Sequence, residues 1–469
     1  NTAHYNMALG HYVLTNLTEG NSNIGIGWAA AENITTGHSN IIIGRQAGDS
    51  LTTKSGMLAI GGGALGAVST TGGDYTIAIG YGAMGGAEIG DGNIAIGYQS
   101  MQNANAAGFH RNIAIGYQTM ANVGSNSAAD NIAIGYQALN DINGSALGNV
   151  AIGSYSGDAI TSGDYNVSIG ENALASATSG GSNIAIGRLA GGNTTTINLN
   201  TYIGYVAGYA NQTGGYNTII GNESYSQTTG VVNFAYVTTL GGEAGRYATG
   251  SYNTFVGSEA GKGGTTSAPY SSGESNTALG YGTLKSFTTG YSNVAIGKDA
   301  GDAITTGFKN VAIGPAALSS EDVGAGHIAI GGNALVTQNF ASANNEFEAN
   351  ISIGNKSSHN NTTGNMNVVI GTAAKYTDDE GNQTTAIGHQ AMYSQNMASS
   401  VTTANVGVGH KVGYYNVTGT NNTWLGYQAG AGASGQSNSA NTGVGYNALT
   451  SITTGTQNTI IGSYAGDAI

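Results

Sequence analysis

Eight histidines are the first residues of this chain that chemistry could use: His4, His11, His38, His110, His327, His359, His389 and His410. A metal or acid–base site needs such side chains brought together, as in a His-Glu-x-x-His pair on one helix. None has that spacing, and they read as exposed loop or turn-edge residues. Two stretches, 61–66 and 430–435, fit the G-x-G-x-x-G fingerprint that cradles a pyrophosphate. With 80 glycines such matches arise from composition, and no helical pattern follows to supply the amides. Asp49, Asp158, Asp302 and Asp467 recur at one place in a repeated pattern. A calcium site needs about six to eight converging oxygens, whereas these residues lie many turns apart, so they read as exposed turn-capping side chains. Asp378, Asp379 and Glu380 read as an exposed acidic loop tip. Polysaccharide hydrolysis needs two carboxylates facing one cleft, and the 25 scattered acidic residues offer no such pair. Without cysteine there are no disulfides or thiolate ligands. The sequence predicts no enzyme, no cofactor and no metal.

The aromatic residues are the better candidates. Tyr81, Tyr98, Tyr117 and Tyr136 each follow a glycine at the same point of four consecutive repeats. Stacked turn on turn, they would form a ladder with a step of about 5 Å. Such a ladder can meet sugar rings, but mutual stabilisation of neighbouring turns is the favoured reading. The two longest repeats insert 262–274, with Pro269 and Tyr270, and 336–349, with Phe340 and Phe347. Protruding loops on a rigid scaffold are the usual place for recognition, and equally they can seal a gap between chains.

A repeat must position these side chains. The phrase Asn-x-Ala-Ile-Gly recurs at 93–97, 112–116, 131–135, 183–187, 293–297 and 310–314, with looser copies elsewhere. Counting them all gives 26 closing glycines, and 15 of the 25 intervals between them are 17 residues. A fixed period with occasional longer units describes identical stacked turns with inserted loops. The residue before each closing glycine is always Ile, Leu or Val, among them Ile26, Ile43, Ile60, Ile79, Ile96, Ile115, Ile134, Ile296 and Ile313. This column is expected to form the core. The residue before that is usually small but becomes Tyr202, Phe255 and Trp424, so it is not expected to face a tightly filled interior. Asn stands four before the glycine in 21 of 26 copies, including Asn93, Asn112, Asn131, Asn149, Asn166 and Asn183. In register these amides can hydrogen-bond from rung to rung. A second glycine, often after Thr-Thr, marks a return turn, and no helical spacing survives a whole repeat. The predicted fold is all-β: a β-solenoid of about 26 short turns, with 1–469 as a single continuous repeat domain.

Net charge is −13, which disfavours nucleic acid and anionic membrane surfaces as partners. No apolar run approaches the roughly 18 residues of a membrane span. Only 8 % of residues are charged, and each turn offers a thin aliphatic core. A parallel homotrimer whose copies cover one another is therefore expected, with a monomeric solenoid as the alternative.

Repeats such as 293–307 (Asn-Val-Ala-Ile-Gly-Lys-Asp-Ala-Gly-Asp-Ala-Ile-Thr-Thr-Gly) and 458–469 resemble two groups over essentially the whole chain. One is the repetitive tail-fibre and virion fibre proteins of bacteriophages. The other is the head repeats of trimeric autotransporter adhesins, which typically use a shorter repeat. The resemblance implies an extracellular homotrimeric shaft, on a virion tail fibre or a bacterial surface, that meets a host-surface glycan or protein receptor. The start at Asn1 and the stop within a repeat read as a piece of a longer fibre. An ice-binding solenoid is a further alternative, but it needs a regular Thr array on a flat face, whereas the Thr-Thr-Gly motifs fall at a corner.

Overall fold

The computed structural model describes residues 2–67, 73–86, 88–106, 108–124, 127–227, 232–265, 270–340 and 346–467. The chain divides into two compact units, Asn1–Tyr236 and Val237–Ile469. Each is a parallel β-solenoid of thirteen turns, and each turn contributes one three-residue strand. In the first unit Ile94–Ile96 pairs with Ile77–Ile79 on one side and Ile113–Ile115 on the other, placing Ala95 between Ala78 and Ala114. The same register relates Val294–Ile296 to Val311–Ile313 in the second unit. β-Branched Ile, Val and Thr suit these extended segments. Among the described residues there is no α-helix, only a short 3-10 turn at Glu346–Glu348, and no helix is long and apolar enough to cross a membrane.

The closing glycine ends each strand for a backbone reason. Gly97 has φ +135°, and a Cβ there would strike the carbonyl oxygen of Gly116 on the next turn. The chain then arches through residues of alternating handedness, so that Gln118 and Met120 take φ of 49° and 48°. Left-handed geometry costs a non-glycine residue about 1–2 kcal/mol. Stacking offsets it: Gln118 donates its N–H to Tyr98 O at 2.9 Å, and Met120 donates to Ala138 O at 3.1 Å. An isolated turn would keep the strain and lose these bonds, so the arch forms only within a stack.

The interior differs from the expected one. Along Asn-x-Ala-Ile-Gly the Asn and Ala point inward and the flanking aliphatics point outward, because successive strand residues face opposite sides. Asn93 and Ala95 are fully buried. Ile26, Ile43, Ile60, Ile79, Ile96, Ile296 and Ile313 are only half-buried, and Ile115 and Ile134 are each 36 % exposed. The repeated Ile column is thus the outer face, not the core. The core is the strand-centre column with Ala and Leu or Met from the arch, such as Ala95, Met101, Met120 and Leu139.

Tyr202, Phe255 and Trp424, at the strand centre, are also fully buried. They fit because the arch gives up volume beside them. A Cβ on Gly191 would lie 2.7 Å from the Tyr202 ring, one on Gly261 2.6 Å from Phe255, and one on Gly413 2.5 Å from Trp424. Where the strand centre is Ala133, the corresponding arch residue is Leu139. Elsewhere a third position fills the space: Ala295 and Gly301 are both small, and the Ile304 side chain reaches in beside Gly301, so the interior volume is shared among strand centre, arch and arch end.

Candidate functional site

The outward strand residues build two parallel columns. One is the Ile column just described. The other runs through Met7, Ile24, Ile41, Leu58, Ile77 and Ile94, and the sequence reading missed it. Its signal was present, since the x of Asn-x-Ala-Ile is nearly always Ile, Val or Thr. In the second unit the columns run through Val294, Val311 and Ile328 and through Ile296, Ile313 and Ile330. Thr enters the first column at Thr201 and Thr218, then at Thr238, Thr254 and Thr277. The result on each unit is an uncharged, largely aliphatic strand face repeating once per turn. Ile41, Ile184 and Val406 are about two-fifths exposed on it.

The face is held in register from inside by the Asn ladder. Asn112 donates its backbone N–H and its side-chain Nδ2 to Asn93 Oδ1, at 2.9 and 3.2 Å. Asn131, Asn149, Asn166 and Asn183 repeat this, each on the Oδ1 of the preceding Asn. Each Nδ2 also satisfies a return-turn carbonyl, as Asn149 does for Gly163 O at 2.8 Å. One side chain thereby meets four buried polar groups that would each be costly if left unpaired.

Tyr81, Tyr98, Tyr117 and Tyr136 are stacked with centroids 5.8, 5.1 and 5.2 Å apart and interplanar angles of 12° or less. Tyr155 closes the stack edge-on against Tyr136, and their hydrogen bond raises the Tyr136 phenol above its usual range. Both faces of Tyr98 and Tyr117 are covered by neighbours, so the run presents edges and hydroxyls, not open faces for a sugar. Gln99, Gln118 and Gln137 form an amide ladder beside it, with both bonds at 3.0 Å. The second unit has two such stacks, His389 to Tyr446 and His359 to Tyr414.

The loop candidates separate. Pro269 lies outside the described residues. Tyr270 is half-buried, and Phe347 is exposed on the 3-10 turn. Phe340 lies flat against His327, centroids 5.5 Å apart, and so covers a buried group.

Several groups read as exposed are not. His327 takes the ladder position of an Asn and is fully buried. Its Nδ1 accepts the Asn350 N–H at 3.0 Å, which leaves Nε2 protonated and 3.8 Å from Glu321 Oε2. Burial lowers the imidazole to about 4 and raises the Glu321 carboxyl. Asp378 is no loop tip: it is fully buried against Lys375. Asp49, Asp158 and Asp302 are half-buried, and all three are raised first by burial. Asp158 reaches about 6, with the charge of Asp141 adding to the effect. Asp467 is exposed. Among the described residues no three His, Asp or Glu side chains gather as a metal site. Compared with known proteins, the chain matches no family model and no curated protein sequence.

Proposed function

We propose that this chain is the shaft of a homotrimeric, non-catalytic adhesion fibre, in which copies pack through the outer aliphatic strand face. That face carries the reading. Two partly exposed aliphatics leave on the order of 100 Å² of apolar surface per turn, and thirteen turns exceed the roughly 800 Å² per partner of a standard interface. Patches of this size on a soluble chain mark an interaction surface. A partner must match the strand spacing of about 4.8 Å over many turns, and another copy of the same chain does so automatically. No charge in the columns opposes self-packing.

The likeness of the repeats to bacteriophage tail-fibre proteins supports three copies and a place on a virion, where the fibre meets a host-surface glycan or protein by many weak contacts. A bacterial trimeric surface adhesin is the alternative, supported by the Ala-Ile-Gly phrase. Ice binding gains little, because the outward Thr runs within a unit span only three turns, Thr238 to Thr277 and Thr423 to Thr459.

Light scattering on the native protein tests the assembly. A mass near three times 46.8 kDa is expected. The double substitution Ile115→Lys with Ile134→Lys should lower it without changing the β-type circular dichroism. A monomeric native protein would sink the proposal. Adsorption to intact bacterial cells tests the adhesive role.

A further inference from the structure

The residue just before each ladder Asn sits at a corner with left-handed backbone. On four successive turns of the first unit it is Tyr165, Ser182, Leu199 and Tyr216, with φ of 57°, 57°, 59° and 62°. This geometry holds the side chains outward: Tyr165, Leu199 and Tyr216 are 63 %, 49 % and 57 % exposed. Between the two tyrosines, on the turns of Ser182 and Leu199, no ring fills the stack, and a groove of about 460 Å³ opens.

Each tyrosine is braced on the side away from the groove. Tyr216 stacks on Tyr236, centroids 5.2 Å apart and planes 5° apart. The Tyr165 ring lies over Gly148, so closely that a Cβ there would meet it at 2.7 Å. Both rings are thus fixed by neighbours, and both line the groove with the side that remains. This is the reverse of the Tyr81–Tyr136 run, whose inner rings have no free face.

The floor is polar. Asp164 uses one carboxylate oxygen to accept the Leu147 N–H at 2.8 Å, and Asn198 uses its Oδ1 to accept the Gly181 N–H at 2.8 Å. The second carboxylate oxygen, the Asn198 amide N–H groups and the Ser182 hydroxyl are left to face a ligand. Two aromatic walls, one aliphatic contact and a few fixed polar groups make a cleft of ligand-binding size and character. The walls are three strand spacings apart, about 14 Å, and the two ring positions left empty between them have the height of two sugar rings lying flat, one on each wall.

We propose that this groove binds a neutral pyranose oligosaccharide, with sugar-ring C–H faces laid on the Tyr165 and Tyr216 rings and hydroxyls on Asp164, Ser182 and Asn198. Neutrality follows from Asp164, whose negative charge repels acidic sugars. The proposal rests on the adhesive reading and names the ligand class that one site on the shaft would recognise. Affinity per groove is low, and repetition across copies and fibres supplies avidity.

The test is titration of the native assembly with cellotetraose and chitotetraose, followed by saturation-transfer NMR and tyrosine fluorescence, with tetragalacturonate as the acidic control. At least one neutral tetrasaccharide should bind, and the acidic one should not. Tyr165→Ala and Tyr216→Ala should each weaken binding about tenfold, the loss of one aromatic contact of roughly 1.4 kcal/mol. Tyr98→Ala, in the closed stack, should leave it unchanged. Ser182→Tyr fills the gap with a residue the same corner already accepts in neighbouring turns, so it should fold and abolish binding. The groove is overturned if neither neutral probe binds, if tetragalacturonate binds as well, if Tyr98→Ala matters as much, or if Ser182→Tyr has no effect. A trimer that adsorbs to cells but ignores these sugars overturns the groove alone and leaves the fibre reading standing.

Discussion

The Lys375 ammonium lies 2.9 Å from Asp378 Oδ2, and both side chains are fully buried inside the second unit. The pair is satisfied on all sides. Lys375 Nζ also donates to Asn361 Oδ1 and Gly381 O, each at 3.2 Å. Asp378 accepts from Gln395 Nε2 at 2.7 Å and from the Met397 N–H at 3.1 Å. Burial pushes the carboxyl upward, but the Lys375 charge and these hydrogen bonds outweigh it and hold its pKa below the ordinary 3.8. A carboxylate with a depressed folded pKa contributes stability at neutral pH that is lost as pH falls through that pKa.

Removing one partner strands a buried charge. Lys375→Met should cost about 3–5 kcal/mol in urea denaturation at pH 7. Lys375→Met with Asp378→Leu should recover most of that loss, because the unpaired charge, more than the missing bridge, carries the cost. If the double variant is no better than the single, the buried pair is not acting as an ion pair.

Asn131 sits mid-ladder, with Asn149 donating two hydrogen bonds to its Oδ1 and its own Nδ2 bound to Ala146 O. Asn131→Ala orphans the Asn149 N–H and the Ala146 carbonyl, and a loss of roughly 2–4 kcal/mol is expected. Asn131→Asp keeps the acceptor but loses the donor and buries a charge. It should be worse than Ala at pH 7 and improve towards pH 4, when the carboxyl protonates and can donate again. Thermal unfolding of the two variants at both pH values decides this.

The volume exchange at Trp424 predicts a rescue. Gly430 and Gly413 both abut its indole, leaving no room for a side chain at either place. Trp424→Ala opens a cavity worth about 3–5 kcal/mol, and Gly430→Leu overfills the same space at a cost of about 1–3 kcal/mol or more. Combined, the two reproduce the Ala and Leu arrangement of Ala133 and Leu139, so the double variant should be more stable than either single one. A double-mutant cycle with no favourable coupling would contradict the shared-volume account.

The repeat period, the closing glycines and the rung-to-rung Asn pattern were readable from sequence, because each is a local backbone demand repeated in every turn. Which way the strand faced was not. In Asn-Ile-Ala-Ile-Gly, alternation puts either both Ile or both Asn and Ala inside, and hydrophobicity alone selects Ile. Room for the large strand-centre residues comes from arch glycines, Gly208 for Tyr202, Gly261 for Phe255 and Gly430 for Trp424, but Gly157 and Gly301 hold the same place beside Ala151 and Ala295, so the pairing is no signal by itself. Such pairing is visible only once two distant places in a repeat are known to share one space. The groove was missed for a similar reason, since the Tyr-Asn pairs at 165–166 and 216–217 mark its walls but its opening is two turns without a ring. Lys375 and His327 were hidden because polar residues in a loop-rich repeat look exposed until stacking closes over them.

His327 is the one described ladder position where protonation can oppose folding near neutral pH. Burial lowers its pKa from 6.5 to about 4, so the unfolded chain takes up the proton first as pH falls. Stability should therefore drop between those values, by about 2 kcal/mol from pH 7 to pH 5. Glu321 works the other way: its raised pKa lets the folded state hold a proton at higher pH, which favours folding on acidification, with the neighbouring Asp322 charge contributing. His327→Asn restores the side chain found in most turns and replaces Nδ1 with an Oδ1 that can accept the Asn350 N–H. The expected outcome is a flatter stability profile from pH 6.5 down to 5 by urea denaturation, with any residual slope in the direction set by Glu321. An unchanged acid-induced loss in the variant would move the sensitivity to other groups, with the half-buried Asp158 excluded, because its raised pKa also stabilises the fold as pH falls.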